Sequence, residues 1–197
     1  MAQHRKTNLP APGADGPRHR AGRPAGGLSM VELLCALAIT LVLLGGALPM
    51  LGELRQGQRL NAVAALLETD IHFARSTAIR SGRPVRLVVQ SLASGGSCYM
   101  LHDGAGDACT CTDDGRARCD AGVQLLRSEG QPASTGVALA ALARPVLFDG
   151  RKGTVTPTAT LRLLARDGRA IHQVVNIMGR VRSCTPGGSV GGLRPCD

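Results

Sequence analysis

The sequence predicts an α+β protein, one long N-terminal helix followed by an antiparallel β-sheet head. Two observations carry that expectation. From Leu54 to Ile79, the residues Leu60, Val63, Leu67, Ile71, Ala74 and Ala78 recur at intervals of three and four, with Arg59, Glu68, Asp70 and Arg75 between them. That spacing builds one apolar stripe on a helix with polar flanks. Beyond Gly82-Arg83-Pro84 the pattern shortens to β-like runs separated by turn residues. A helical segment followed by a run of strands segregates the two kinds of element, which is the α+β arrangement.

Taken in order, residues 1–27 form a basic leader in which Arg5, Lys6, Arg18, Arg20 and Arg23 face a single Asp15. Its Pro, Gly and Ala content cannot bury a core, and its charge favours the cytoplasmic side of a membrane. Leu33 to Leu51 is apolar apart from Thr40, a length that suits a bilayer-spanning helix. Only Gly52 and Gly57 separate this run from the amphipathic stripe. The two therefore read as one helix from about Ser29 to Ser81, roughly 80 Å long at 1.5 Å per residue. Gly82-Arg83-Pro84 stops it. The expected division is a leader over 1–27, a transmembrane helix over 28–52 and a head over 53–197.

Strands are expected over Val85–Gln90, Cys98–His102, Val123–Arg127, Val137–Leu142, Val146–Asp149, Thr160–Arg166 and Ala170–Ile177. Asp167-Gly168 between the last two is a hairpin signal. Between Asp103 and Asp120 the chain is rich in Gly, Asp and Cys, and reads as a stapled loop.

Seven cysteines are present. Cys35 falls inside the apolar run and reads as a small buried hydrophobe. Cys98, Cys109, Cys111, Cys119, Cys184 and Cys196 lie beyond it. An even set in an exported domain reads as a disulfide framework. Proximity favours Cys184 with Cys196 and two bridges within residues 98–119, with the connectivity open. A zinc site from Cys109, Cys111, Cys119 and His102 lacks the paired Cys-x-x-Cys knuckles of structural zinc. Asp103, Asp107, Asp113 and Asp114 have calcium-ligating chemistry, but turn formation accounts for them. No metal and no cofactor is expected.

With 23 Lys and Arg against 14 Asp and Glu, the chain carries a net charge of +9. From Gly150 onward Arg151, Lys152, Arg162, Arg166, Arg169, Arg180, Arg182 and Arg194 face only Asp167 and Asp197. Such a patch is the footprint of anionic partners or of plain solvated surface. Phe73, Tyr99 and Phe148 are the aromatic residues, which argues against a base-stacking platform. No nucleophile motif, metal-ligand pair or phosphate-cradling loop stands at a recognisable spacing. The chain does not read as an enzyme, and His102 and His172 read as surface or satisfied strand residues.

The junction of leader and apolar run is the most specific feature. Gly26 and Gly27 precede the apolar segment, whereas an ordinary secretory signal is cut after it. Glu32 sits at the edge of that segment, where a carboxylate costs roughly 2.5–3.5 kcal/mol at a helix centre. Its local explanation is the positive N-terminal end of the helix. Gly27-Leu28-Ser29-Met30-Val31-Glu32 with the following apolar run resembles the processing site of type IV pilins and type II secretion pseudopilins.

Two further segments narrow the resemblance. Ala74 to Val85 is similar to the end of the long helix and first strand of the GspH/FimT family of minor pilins and pseudopilins. Val174-Val175-Asn176-Ile177-Met178-Gly179-Arg180-Val181-Arg182-Ser183-Cys184 is similar to its C-terminal strand and turn.

The resemblance implies a pilin-like fold and cleavage between Gly27 and Leu28 by a prepilin peptidase, with N-methylation of Leu28. It also implies that Glu32 pairs with the N-terminal amine of a neighbouring subunit and that Pro49 loosens the helix. The expected role is an H-type pseudopilin at or near the tip of a type II secretion pseudopilus. It would be a single-pass inner-membrane protein with a periplasmic head, assembling with other pseudopilins or minor pilins on an inner-membrane platform. The alternative is a FimT-like type IV minor pilin that binds DNA during uptake through Gly179, Arg180 and Arg182, with Arg151, Lys152 and Arg169 extending the patch.

Overall fold

The computed structural model describes residue 27 and residues 29–196, the side chains of 47–51 excepted. Residues 1–26, Leu28 and the Pro49 side chain, with the expectations placed on them, lie outside the described residues.

One helix, α1, runs Met30–Ser81. Ser29 begins it, its Oγ accepting the Glu32 N–H at 3.1 Å. This Ser-x-x-Glu pattern satisfies one of the orphan donors of a helix start. Gly82 ends it with φ 65°, a left-handed conformation that costs glycine nothing. The chain divides into two units between Leu43 and Leu44.

The strands are β1 Val85–Ser91, β2 Ser97–His102, β3 Cys109–Cys111, β4 Ala117–Cys119, β5 Leu125–Gln131, β6 Val137–Leu139, β7 Val146–Phe148, β8 Val155–Thr156, β9 Ala159–Ala165, β10 Ala170–Val175, β11 Val181–Thr185 and β12 Arg194–Pro195. They form two five-stranded sheets, β5-β2-β1-β7-β8 and β12-β11-β10-β9-β6, and a separate β3-β4 hairpin. Every pair is antiparallel except β11 with β12.

The single sheet expected from the sequence is thus two sheets. Leu60, Leu67, Ile71, Ala74 and Ala78 are buried in one cluster with Val85, Leu87, Tyr99 and Leu101 of the first sheet and Leu161, Leu163, Ile171 and Val175 of the second. The stripe is broad enough to supply core for both.

Hydrogen bonds tie α1 to each sheet. Gln173 of β10, fully buried, donates from Nε2 to the Ala64 carbonyl at 2.7 Å. On the other side Tyr99 of β2 donates its hydroxyl to Asp70 Oδ2 at 2.7 Å. Arg127 of β5 sets Nη1 3.0 Å from Asp70 Oδ1 and lies 4.4 Å from the centre of the Phe73 ring.

Asp70 is not a solvent-side residue as its charge had implied, because it is only 3% exposed. It stands three residues after Leu67 and four before Ala74, so helical geometry puts it on the stripe itself. A buried carboxylate needs hydrogen bonding and a counter-charge; Tyr99 supplies a hydrogen bond to Oδ2 and Arg127 the charge beside Oδ1. Burial first, and the hydrogen bond to Asp70 next, push the Tyr99 phenol far above its usual range. The hydroxyl stays protonated and donating at any ordinary pH.

Tyr99→Phe should remove one bond to a buried charge and lower head stability by about 1.5–3 kcal/mol. Urea denaturation should report a lower midpoint with an unchanged slope.

Candidate functional site

The basic C-terminal third folds into two surfaces on the head. The first is the tight turn between β10 and β11. Asn176 Oδ1 accepts the N–H groups of Met178 at 3.0 Å and Arg180 at 2.9 Å, while the Gly179 N–H donates to the Asn176 carbonyl at 2.8 Å. Gly179 has φ 71°, and a Cβ there would stand 2.5 Å from Arg75 Cδ. Only glycine meets both demands, so Gly179 holds the turn against the helix.

Arg180 and Arg182 are exposed and alternate with Val181, which packs on the core. Side chains two apart on a strand share a face, so both arginines project from the outer side of the second sheet. The Val155 N–H donates to the Ile177 carbonyl at 2.8 Å, and the Cβ that Gly153 lacks would touch Ile79 Cδ1 at 3.8 Å. These contacts bring the Arg151–Lys152 loop to the Arg180 end of the head. Asp149 Oδ1 shapes that loop by accepting both backbone N–H groups, and those bonds, that of Lys152 first, hold the Asp149 carboxyl below its usual range.

Arg169 does not extend this patch. Its Nη2 donates to the Glu53 carbonyl at 2.8 Å and to Asp167 at 2.5 Å, and its guanidinium covers Gly57. Roughly 27 Å of helix separate Gly57 from Arg75 at 1.5 Å per residue. Sequence proximity placed Arg169 with the others, but the β9–β10 hairpin carries it to the opposite end.

The second surface is an open groove of about 810 Å³ on the outer face of the same sheet, lined by Thr160, His172, Val174, Arg182, the Cys184–Cys196 bridge and Arg194. Strand register sets its layout: Cys184 is opposite His172 and Arg194, and His172 is opposite Arg162. Val174 lies between Arg182 and Thr160. Burial, and after it the Arg162 charge, push the His172 imidazole below its usual range.

The six cysteines beyond the apolar run form Cys98–Cys111, Cys109–Cys119 and Cys184–Cys196. The segment expected as a loop over 103–120 is a β3–β4 hairpin closed by its own bridge and stapled to β2 by the other. With Cys109, Cys111 and Cys119 in bridges, the sulfurs of the rival zinc set are spent. Asp103 pairs with Arg83 at 2.9 Å and accepts the Gln124 N–H, and Asp114 accepts from the Thr112 hydroxyl.

His102 is neither surface nor satisfied. It is fully buried with no hydrogen-bond partner on either ring nitrogen, and burial, then the Arg86 charge, lower its pKa. Among the described residues no group of three or more His, Cys, Asp and Glu could hold a metal ion.

At the N-terminal end Gly27 and Glu32 are exposed. So is Cys35, which is not the buried hydrophobe that its place in the apolar run suggests. The large apolar residues from Met30 to Leu44 are all exposed, Leu37 by 56% and Val42 by 76%. Among the described residues no helix is long and apolar enough to cross a membrane; the described side chains stop at Gly46, inside the apolar run, and resume at Gly52.

A family model described as type II transport protein GspH matches residues 63–179. Among solved structures the chain is similar to the type IV minor pilin FimU of Pseudomonas aeruginosa, at 18% identity and a TM-score of 0.45, over 65% of this chain and 92% of that one. No curated protein matches.

Gly179→Ala should cost about 1–2 kcal/mol for the left-handed backbone and more for displacing Arg75. Gly168→Ala, at φ 84° with no atom within 4 Å of the added carbon, should lose only the backbone component. Paired thermal melts measure the difference.

Proposed function

The chain belongs to the GspH family, and we propose that it is a pseudopilin of the H type, a structural subunit at or near the tip of a type II secretion pseudopilus. The family is one of pilin-like structural proteins rather than enzymes. The observation that carries this reading is the bare apolar helix. From Met30 to Leu44 large apolar side chains are exposed on every side, and a helix apolar all round requires a nonaqueous surrounding. A bilayer supplies it before assembly and a bundle of like helices supplies it afterwards.

In this reading a prepilin peptidase cuts between Gly27 and Leu28 and methylates Leu28. The span over 28–52 then anchors the chain in the inner membrane, Pro49 loosening it, with the head over 53–197 in the periplasm. An inner-membrane platform extracts the subunit into the filament with other pseudopilins. Glu32 lies one helical turn from the new N-terminus, where its carboxylate meets the amine of a neighbouring subunit.

Glu32→Ala should leave the head folded while sharply reducing the amount of subunit in sheared filament fractions. Entry at the normal level would refute the register contact. Mass spectrometry of the mature N-terminus should find methylated Leu28, and an intact leader would refute processing.

A second reading is a type IV minor pilin whose head captures DNA. It is favoured by the exposed Arg180 and Arg182 on one face with Arg151 and Lys152 brought to the same end. Arginines on phosphates give salt-sensitive binding without sequence preference. Mobility shifts with duplex DNA should then weaken steeply with salt, and Arg180→Ala or Arg182→Ala should each lower the salt slope by about 1. Unchanged retention in both variants would remove this reading.

A further inference from the structure

We propose that the groove on the outer face of the second sheet is a docking site for an extended acidic segment of a neighbouring filament subunit. The segment would lie across the strands with its carboxylates on alternate residues. This rests on the filament reading for the identity of the partner, and on the groove's own chemistry for everything else.

The first argument is charge. Arg162, Arg182 and Arg194 are exposed, and among the described residues none of them lies within 4 Å of a carboxylate oxygen, unlike Arg83, Arg127 and Arg169. The outward positions of β9, β10, β11 and β12 carry no acidic residue at all. Arg182 and Arg194 line the groove and Arg162 stands one strand beyond His172 on the same face, and three guanidiniums without acidic partners among the described residues are complementary to an anion of several charges.

Spacing is the second. Arg194 on β12 and Arg162 on β9 are three strand intervals apart in one cross-strand row, through Cys184 and His172, about 14 Å at 4.7–4.9 Å per strand. An extended peptide places alternate side chains about 6.6–6.8 Å apart, so carboxylates at i and i+4 span that row. Arg182, one row over and two residues from Cys184, falls between them and can take the carboxylate at i+2. All three cations are arginine, whose planar fork accepts a carboxylate in two parallel bonds.

The floor bears on the partner class. Val174 is 39% exposed, and the Cys184–Cys196 bridge lines the same side. These are aliphatic and sulfur surfaces that suit small apolar side chains of a peptide. Among the described residues no Phe, Tyr or Trp lines this groove, and the half-buried His172 is the one aromatic ring it offers a nucleobase.

The test uses the full chain in detergent micelles and a fluorescein-labelled nonapeptide of alternating Glu and Val, with alternating Lys and Val as the control. Fluorescence anisotropy should show saturable, salt-sensitive binding of the acidic peptide only. Arg162→Gln, Arg182→Gln and Arg194→Gln should each weaken it by about tenfold, a charge-assisted bond being lost in each. All three side chains are exposed, so thermal melts of the variants should match the parent. Arg182→Lys should fall between parent and Arg182→Gln, because an ammonium keeps the charge but not the fork.

Equal affinity in parent and all three Gln variants would overturn the proposal. So would tighter binding of an oligothymidine of the same charge with the same arginine dependence, which would mark the groove as a nucleic-acid site. Normal filament entry by Glu32→Ala would instead sink the assembly reading and leave the peptide titration standing, so the two failures are separable.

Discussion

A single helical stripe has to be covered from two directions, and most of the head follows from that. Leu60, Leu67, Ile71, Ala74 and Ala78 are buried to within a few per cent, and one sheet cannot wrap the arc they occupy. Two five-stranded sheets share the task. The price is a carboxylate, Asp70, carried into the interior on the same stripe. Its two oxygens are met by Tyr99 from β2 and Arg127 from β5, so the residue that threatens the core also fixes where the helix sits on the first sheet. Gln173 performs the matching task on the second sheet through the Ala64 carbonyl. Polar bonds of this kind also penalise misalignment, since a slip leaves buried groups without partners.

Because the helix consumes the inner face of both sheets, recognition is left to outer faces and ends. The Asn176–Arg180 turn and the groove across β9 to β12 are both such places, and both lie beside features that stiffen them. Arg75 fills the space that a side chain at Gly179 would need, and the Cys184–Cys196 bridge holds β12 to the edge of β11. β12 is only two residues long and would fray without that link. The β3–β4 hairpin, three residues per strand, has the same need and two bridges. Disulfides here stand in for core that short strands cannot build.

The N-terminal half of the helix follows the opposite logic. Where the head hides a stripe, the segment from Met30 to Leu44 presents apolar side chains on every side. A chain with one satisfied and one unsatisfied apolar surface is completed by something outside itself. The family to which it belongs, one of filament-forming pilin-like proteins, gives that incompleteness a use.

Much of this was legible in the sequence alone. The helix, its stop at Gly82, the two central strands over 85–102, the β9–β10 hairpin at Asp167-Gly168 and the oxidised state of six cysteines all rest on local signals: periodicity, turn chemistry and an even count. Asp70 was legible too, since its spacing from Leu67 and Ala74 places it on the stripe although its charge suggests a solvent-side residue. What tertiary structure alone decided depends on residues far apart in the chain. Splitting the strands into two sheets, pairing Cys98 with Cys111 rather than Cys109, burying His102 and sending Arg169 to the opposite end from Arg180 are matters of register and strand order. A periodic pattern records which side of its own element a residue faces. It holds nothing about which other element that side will meet, because that is settled by the mutual packing of surfaces and not by any one of them.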